Sequence, residues 1–248
     1  MEMQFIYADN AATTKMSDVA VKAMLPYLQE TYANASSVHI LGQRSAAALF
    51  SARQQLAQLL HCAPKELFFT SGGSEADNQA LISAAAIGRQ QGKRHIISTA
   101  MEHHAILHTL EALEEQGFTV TLLRPQKDGI VTVAQVAAAL TDETCLVSVM
   151  YANNETGAIQ PIKEIGALCR QRGVLFHTDA VQAAGHVDID VQRDNIDMLS
   201  LSAHKFHGPK GVGLLFAKSS IQLTSLIRGG GQERGKRAGT ENLPGIER

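Results

Sequence analysis

Lys205 stands in the stretch LSLSAHKFHGPKGVGLLF (199–216), between two apolar runs, directly after His204 and shortly before His207, Gly208 and Gly211. A solvated lysine keeps its proton, with a pKa near 10.4. At the end of a buried strand the charged form is desolvated, and the neutral amine becomes available to condense with a carbonyl compound. Other polar residues also follow apolar runs. After ELFFT (66–70) comes SGGSEADN, where Gly73 and Ser74 lie in a small-residue turn that opens a helix. Exposed N–H groups and the helix dipole make such a turn a potential phosphate site, and Ser74 and Glu75 suit the helix entrance. His103, after HIIST (95–99), can lay its ring over a flat ligand. Asn153 and Asn154 follow CLVSVM (145–150) and offer amides, or simply a turn before Gly157. Asp179 ends an apolar segment, where a carboxylate costs free energy unless a cation or donor meets it. Gln182, three residues on, can face the same space if a helix starts there.

Singly, each of these residues has an ordinary reading as a cap, a turn or a surface charge. Together they supply a phosphate cradle, a ring-stacking histidine, an acid for a pyridinium nitrogen and an amine for an aldehyde. Those are the requirements of pyridoxal 5'-phosphate. Competing signatures are missing. No G-x-x-x-x-G-K-[ST] occurs, and in RGGGQERG Arg234 takes the place of the last glycine of G-x-G-x-x-G. His104 and His108 are four apart, but Ala105 stands where a zinc-protease helix needs glutamate and no third ligand is evident, so a surface or helix-capping role is expected and no metal.

The elements that must position these residues alternate along the chain. Helical spacing runs through 17–32, 42–60, 74–88, 104–117, 131–140 and 162–173, and short strand-like runs fall at 66–70, 95–99, 119–123, 145–150 and 174–180. This predicts an α/β fold in three layers, a mostly parallel sheet flanked by helices, with functional groups at the carboxyl ends of the strands. The 248 residues suffice for one or two domains, and the composition (45% hydrophobic, 19% charged) is that of a globular protein. A net charge of −2 argues against nucleic-acid or membrane partners. The N-terminus lacks the pattern of a signal peptide, and no apolar run has the length of a membrane span. Cys62, Cys145 and Cys169 are odd in number and far apart, which disfavours disulfides and zinc. The expected location is cytoplasmic.

The sequence resembles the cysteine desulfurases, in the class V aminotransferase branch of the fold-type I pyridoxal phosphate enzymes. The resemblance rests on YADNAATT, NASSVHILG, FTSGGSEADN, MEHHA, NNETG, HTDAVQAAG, SLSAHKFHGPKGVG and RAGTENLPGI, in that order. It implies that Lys205 holds the cofactor covalently and that His103 stacks on the ring and assists proton transfer. Asp179 would pair with the pyridinium nitrogen and Gln182 with the ring hydroxyl. Gly73, Ser74 and Ser202 would bind phosphate, with His204 framing it. Asn154 would lie near the ring hydroxyl and the substrate carboxylate. Thr240 would reach the phosphate of a neighbouring subunit, which implies a homodimer.

The implied substrate is L-cysteine, converted to L-alanine as sulfur passes to an acceptor or iron–sulfur scaffold protein. The implied organisation is an N-terminal arm (1–15) and a cofactor-binding large domain (16–248). The family's smaller C-terminal domain, with its persulfide-forming cysteine and carboxylate-binding arginine, is expected to be absent. None of Cys62, Cys145 and Cys169 is expected to replace that cysteine. Alternative readings are a selenocysteine lyase or other class V enzyme, and a non-catalytic dimerisation or binding remnant.

Overall fold

The computed structural model describes residues 6–247. Residues 1–5 of the expected arm lie outside that range. Helices α1 (Asp18–Gln29) and α2 (Ile40–Leu59) precede β1 (Leu67–Thr70) and α3 (Gly73–Gln90). The alternation continues through β2 (His95–Thr99), α4 (His104–Glu114), β3 (Thr119–Leu123), α5 (Val133–Ala139), β4 (Thr144–Ser148), α6 (Ile162–Arg172) and β5 (Leu175–Asp179). Strands β6 (Met198–Ser202) and β7 (Gly213–Ala217) and the short helix α7 (Leu243–Ile246) follow. The seven strands form one sheet in the order β1-β7-β6-β5-β4-β2-β3.

Strands β2 to β6 pair in parallel, whereas β7 is antiparallel to both of its neighbours, β6 and β1. A parallel return needs a crossover of a dozen or more residues, and the ten residues 203–212 favour reversal of the chain. The sheet is thus mostly parallel, as the alternation predicts, with β7 as its reversed strand.

Strand residues alternate between the two faces of the sheet. Ile97, Val147, Phe176, Leu199 and Phe216 pack with residues of α2, α5 and α6. Ile96, Leu146, Met198 and Leu215 face the other way, onto α3 and α4. By the same period Ser148, His177, Asp179, Ser200 and Ser202 lie on the α3 face. Helix α3 can pack closely there because Ala76, Ala80 and Ala84 line its buried side.

Strand β1 is a sheet edge, and side chains meet its outward backbone groups. Arg53 and Arg234 donate to the Leu67 carbonyl at 2.7 and 2.6 Å, and the Phe69 N–H donates to Glu233 at 3.0 Å. Arg53 and Glu233 form a buried two-pronged ion pair at 2.5 and 2.8 Å. Segment 232–235 is thereby clamped to the edge, with Glu233 and Arg234 at positive φ (45° and 57°). Breaking a buried pair strands one charge, so Arg53→Met should lower stability by about 3–5 kcal/mol. Urea unfolding checks this; a loss under about 1 kcal/mol would contradict the clamp.

Candidate active site

The carboxyl ends of β5 and β6, the turn before α3 and the segment after β6 meet around a cavity of about 480 Å³, within the size range of small-molecule sites. Gly73, Ser74, His103, Asn154, Asp179, Gln182, Ser202, His204 and Lys205 all line it. Thr240 does not; it lines a separate space of about 170 Å³ with Thr70, Ser71 and Arg237.

The turn before α3 is built for close approach. Gly72 is the N-cap and the first intrahelical bond runs from the Ala76 N–H to its carbonyl, so the N–H groups of Gly73, Ser74 and Glu75 precede the ladder. A Cβ on Gly73 would stand 2.7 Å from Val181 Cγ2. Glu75 stands in the first turn of α3, as expected, where it accepts from the Ser71 N–H at 2.8 Å and pairs with Arg237 at 3.0 Å. That carboxylate braces the turn from outside and leaves the helix N-terminus to the cavity.

Lys205 closes a single turn of 3-10 helix, Ala203–Lys205, directly after β6. Its Nζ donates to the carbonyls of Ala11 and Ala12. Desolvation holds its pKa below the usual lysine value, against the attraction of Asp179 and Asp9. Asp179 is buried and accepts from the Val181 N–H at 2.8 Å. Burial pushes its pKa up to about 6, opposed by that N–H and by Lys205. Gln182 donates to the Ala11 carbonyl at 2.9 Å.

The helix-capping role expected of His104 or His108 falls to His103 instead. It is the residue that caps α4, Nδ1 accepting from the Ala105 N–H at 3.1 Å, while the His104 and His108 rings stack on each other at 5.1 Å. The cap leaves Nε2 of His103 free of helix duty. Burial, with His104 and Lys205 nearby, lowers its pKa, which favours the neutral ring. The two asparagines also divide their work. Asn153 builds the turn, its Oδ1 accepting from the N–H groups of Glu155 and Thr156, while Asn154 lines the cavity and donates to Glu155 at 2.9 Å.

Sequence reasoning overlooked the segment that roofs Lys205. Thr14 donates to the His204 carbonyl at 2.9 Å, His204 Nδ1 lies 3.0 Å from Thr13 Oγ1, and the His207 N–H donates to Thr14 Oγ1 at 2.8 Å. Residues 11–15 thus strap the lysine-bearing turn. The two threonines in AATT were the available signal. Asp77 and Glu102, both buried, were also missed, because each sits within an otherwise ordinary helix start or turn.

The family description Aminotransferase class-V matches residues 6–246. The chain belongs to the class-V aminotransferase family. A relative named Cysteine desulfurase IscS, from Clostridium botulinum, is 53% identical over 241 residues, which cover 97% of this chain and 60% of that protein. The chain therefore spans about 60% of the length of the curated relatives it matches. A solved structure described as a NifS-like protein aligns with a TM-score of 0.95 at 38% identity, over 98% of this chain and 67% of the other. Another, SspA in complex with cysteine, aligns with a TM-score of 0.94 at 40% identity, over 98% and 70%.

The cofactor of this family is pyridoxal 5'-phosphate, and the residues present fit it. Free N–H groups at a Gly-only helix entrance suit a phosphate, a buried carboxyl with one backbone donor suits a ring N–H, and a desolvated amine suits an aldehyde. The cysteines contribute nothing to the cavity. Burial pushes the thiol pKa values of Cys62 and Cys169 up to about 12 and that of Cys145 to about 11, and none of the three lines it. Among the described residues no cluster could hold a metal ion, and no helix is long and apolar enough to cross a membrane.

Glu102 gives the site a measurable pH signature. Its Oε1 accepts from Thr99 Oγ1 at 2.7 Å and the Met150 N–H at 2.9 Å, and Oε2 has no donor. Burial pushes its pKa up to about 8 from an ordinary value of 4.5. Its folded-state pKa is raised, so folding takes up a proton between those values, and stability falls as pH rises from about 4.5 through 8. Glu102→Gln should flatten that slope, narrowing the difference in unfolding free energy between pH 5.5 and 8.5 by about 3 kcal/mol. Parallel slopes in the two proteins would show that Glu102 is ionised in the fold.

Proposed function

We propose that the chain is the cofactor-binding part of a cysteine desulfurase, with residues 16–248 as the large domain and 1–15 as its arm. The observation that carries this reading is the Lys205 amine in one cavity with Asp179 and the N-terminus of α3. Relatives named as cysteine desulfurases, and a similar protein solved with cysteine, support L-cysteine as substrate, with L-alanine as product and sulfur passed to an acceptor or iron–sulfur scaffold protein.

Bound pyridoxal 5'-phosphate supplies an electron sink for an amino acid joined to it. In this reading Gly73, Ser74 and Ser202 would hold the phosphate, and His204, whose pKa is lowered mainly by burial, would frame it. Asp179 holds the proton on the ring nitrogen, and Gln182 meets the ring hydroxyl. His103 covers the ring face, with Nε2 available to hold or release a proton. Lys205 would hold the cofactor through its amine and, with that amine free, would move protons beside His103. The carbonyls of Ala11 and Ala12 accept from its Nζ when it is free. Asn154 orients the substrate carboxylate. The sulfur-accepting thiol is assigned to none of Cys62, Cys145 and Cys169.

Thr240, outside the cavity of its own chain, would serve the phosphate of a second copy in a homodimer. We place the protein in the cytoplasm, in keeping with its free cysteines.

A visible spectrum with added pyridoxal 5'-phosphate, followed by borohydride reduction and peptide mapping, tests the reading. The expected result is a band that reduces to a single label on Lys205 and is absent in Lys205→Ala. Label scattered over surface lysines would refute it.

A further inference from the structure

The α3 face of the sheet buries a row of polar side chains that the roles above leave unused. Ser148 ends β4, His177 precedes Asp179 by two residues on β5, and Ser200 stands opposite Asp179 on β6. The imidazole of His177 is fully buried between two hydroxyls, with Nδ1 2.9 Å from Ser148 Oγ and Nε2 3.0 Å from Ser200 Oγ. Asp77, in the second turn of α3, closes the row. It is 1% exposed, its Oδ1 lies 3.7 Å from His177 Nε2 without any donor, and it lines the cavity of Asp179 and Lys205. A polar row inside an apolar layer is costly unless every member is satisfied.

The hydroxyls give this row a direction. Burial pushes the His177 pKa down to about 3, so the ring is neutral and its approach to Asp77 is not an ion pair. With the proton on Nε2, His177 donates to Ser200 and accepts from Ser148 at Nδ1, which leaves the Ser200 hydroxyl hydrogen to turn toward Asp77. Each hydroxyl and ring nitrogen then has a partner.

Asp77 shares its surroundings with Asp179 and His177 from β5, Glu102 from the turn after β2, and Lys205 and His103 across the cavity. Two ionised carboxylates cannot both persist on so dry a floor. Burial first, and then the charge of Asp179, raises Asp77 well above its ordinary range, whereas the Val181 N–H and Lys205 draw Asp179 back toward ionisation. Resting on the cofactor reading above, we propose that Asp77 is a positioning residue held as a neutral carboxylic acid. Together with Ser200 and His177 it leaves Asp179 as the one carboxylate free to meet the ring nitrogen of pyridoxal 5'-phosphate.

The test compares Asp77→Asn, a neutral isostere, with Asp77→Ala, which leaves Ser200 without an acceptor and opens space for water beside Asp179. Imidazole ¹⁵N spectra of the cofactor-free chain should show His177 neutral, with its proton on Nε2, in the unsubstituted protein and in Asp77→Asn. With pyridoxal 5'-phosphate added, Asp77→Asn should keep the dissociation constant within about threefold and leave the pH titration of the visible band in place. Asp77→Ala should weaken binding by about tenfold or more and move that titration by about one pH unit.

Asp179→Asn is the control for the cofactor reading. If it shifts the band while Asp77→Ala does not, the proposal falls and the cofactor reading stands. If Asp77→Asn is as damaging as Asp77→Ala, Asp77 acts as an anion and the proposal falls. A charged His177 overturns it without recourse to the cofactor. A silent Asp179→Asn overturns the cofactor reading itself, and the proposal with it.

Discussion

The site depends on a crossing that only glycine permits. Gly213, where β7 begins, pairs with Thr70 on one side and Ser202 on the other. The chain leaving β1 passes directly over it, and a Cβ at Gly213 would stand 2.4–2.6 Å from the backbone of Gly72. Because the turn lies that low, α3 starts against Val181 and Ser202, and its unpaired N–H groups arrive beside the carboxyl ends of β5 and β6. Raise the turn by one methyl group and the helix N-terminus, Asp179 and Lys205 no longer share a cavity.

Electrostatics supplies the second constraint. A helix N-terminus carries partial positive charge, yet the floor beneath this one holds Asp77, Glu102 and Asp179, all buried. Desolvation pushes all three toward the neutral acid. Lys205 and the N–H of Val181 single out Asp179 as the group that ionises most readily. From above, the strap formed by residues 11–15 fixes the turn that carries Lys205, so the amine is held from both sides of the cavity.

Much of this arrangement was legible in the sequence, and for a common reason. Buried parallel strands read as short apolar runs, and their carboxyl ends are where polar residues become conspicuous. Gly73, His103, Asp179 and Lys205 were visible in that way. The direction of β7 was not, since an apolar run looks the same in either orientation and only the length of 203–212 bears on it. The strap was missed because residues 11–15 have no periodicity and act through threonine hydroxyls and backbone carbonyls. Asp77 was missed because its burial comes from packing of α3 on Ser200 and His177, residues more than ninety positions away. His103 was seen as a ring for stacking, and its capping bond emerged only with the start of α4.

In the proposed site the Gly72–Gly73 turn cradles the cofactor's phosphate. The most direct test is the ratio of the dissociation constants of pyridoxal and pyridoxal 5'-phosphate for this chain, since both carry the aldehyde that Lys205 would take. If the turn holds the phosphate, the phosphorylated compound should bind about a hundredfold more tightly or better. Equal affinities would mean that the helix N-terminus plays no part in binding, and would contradict the account.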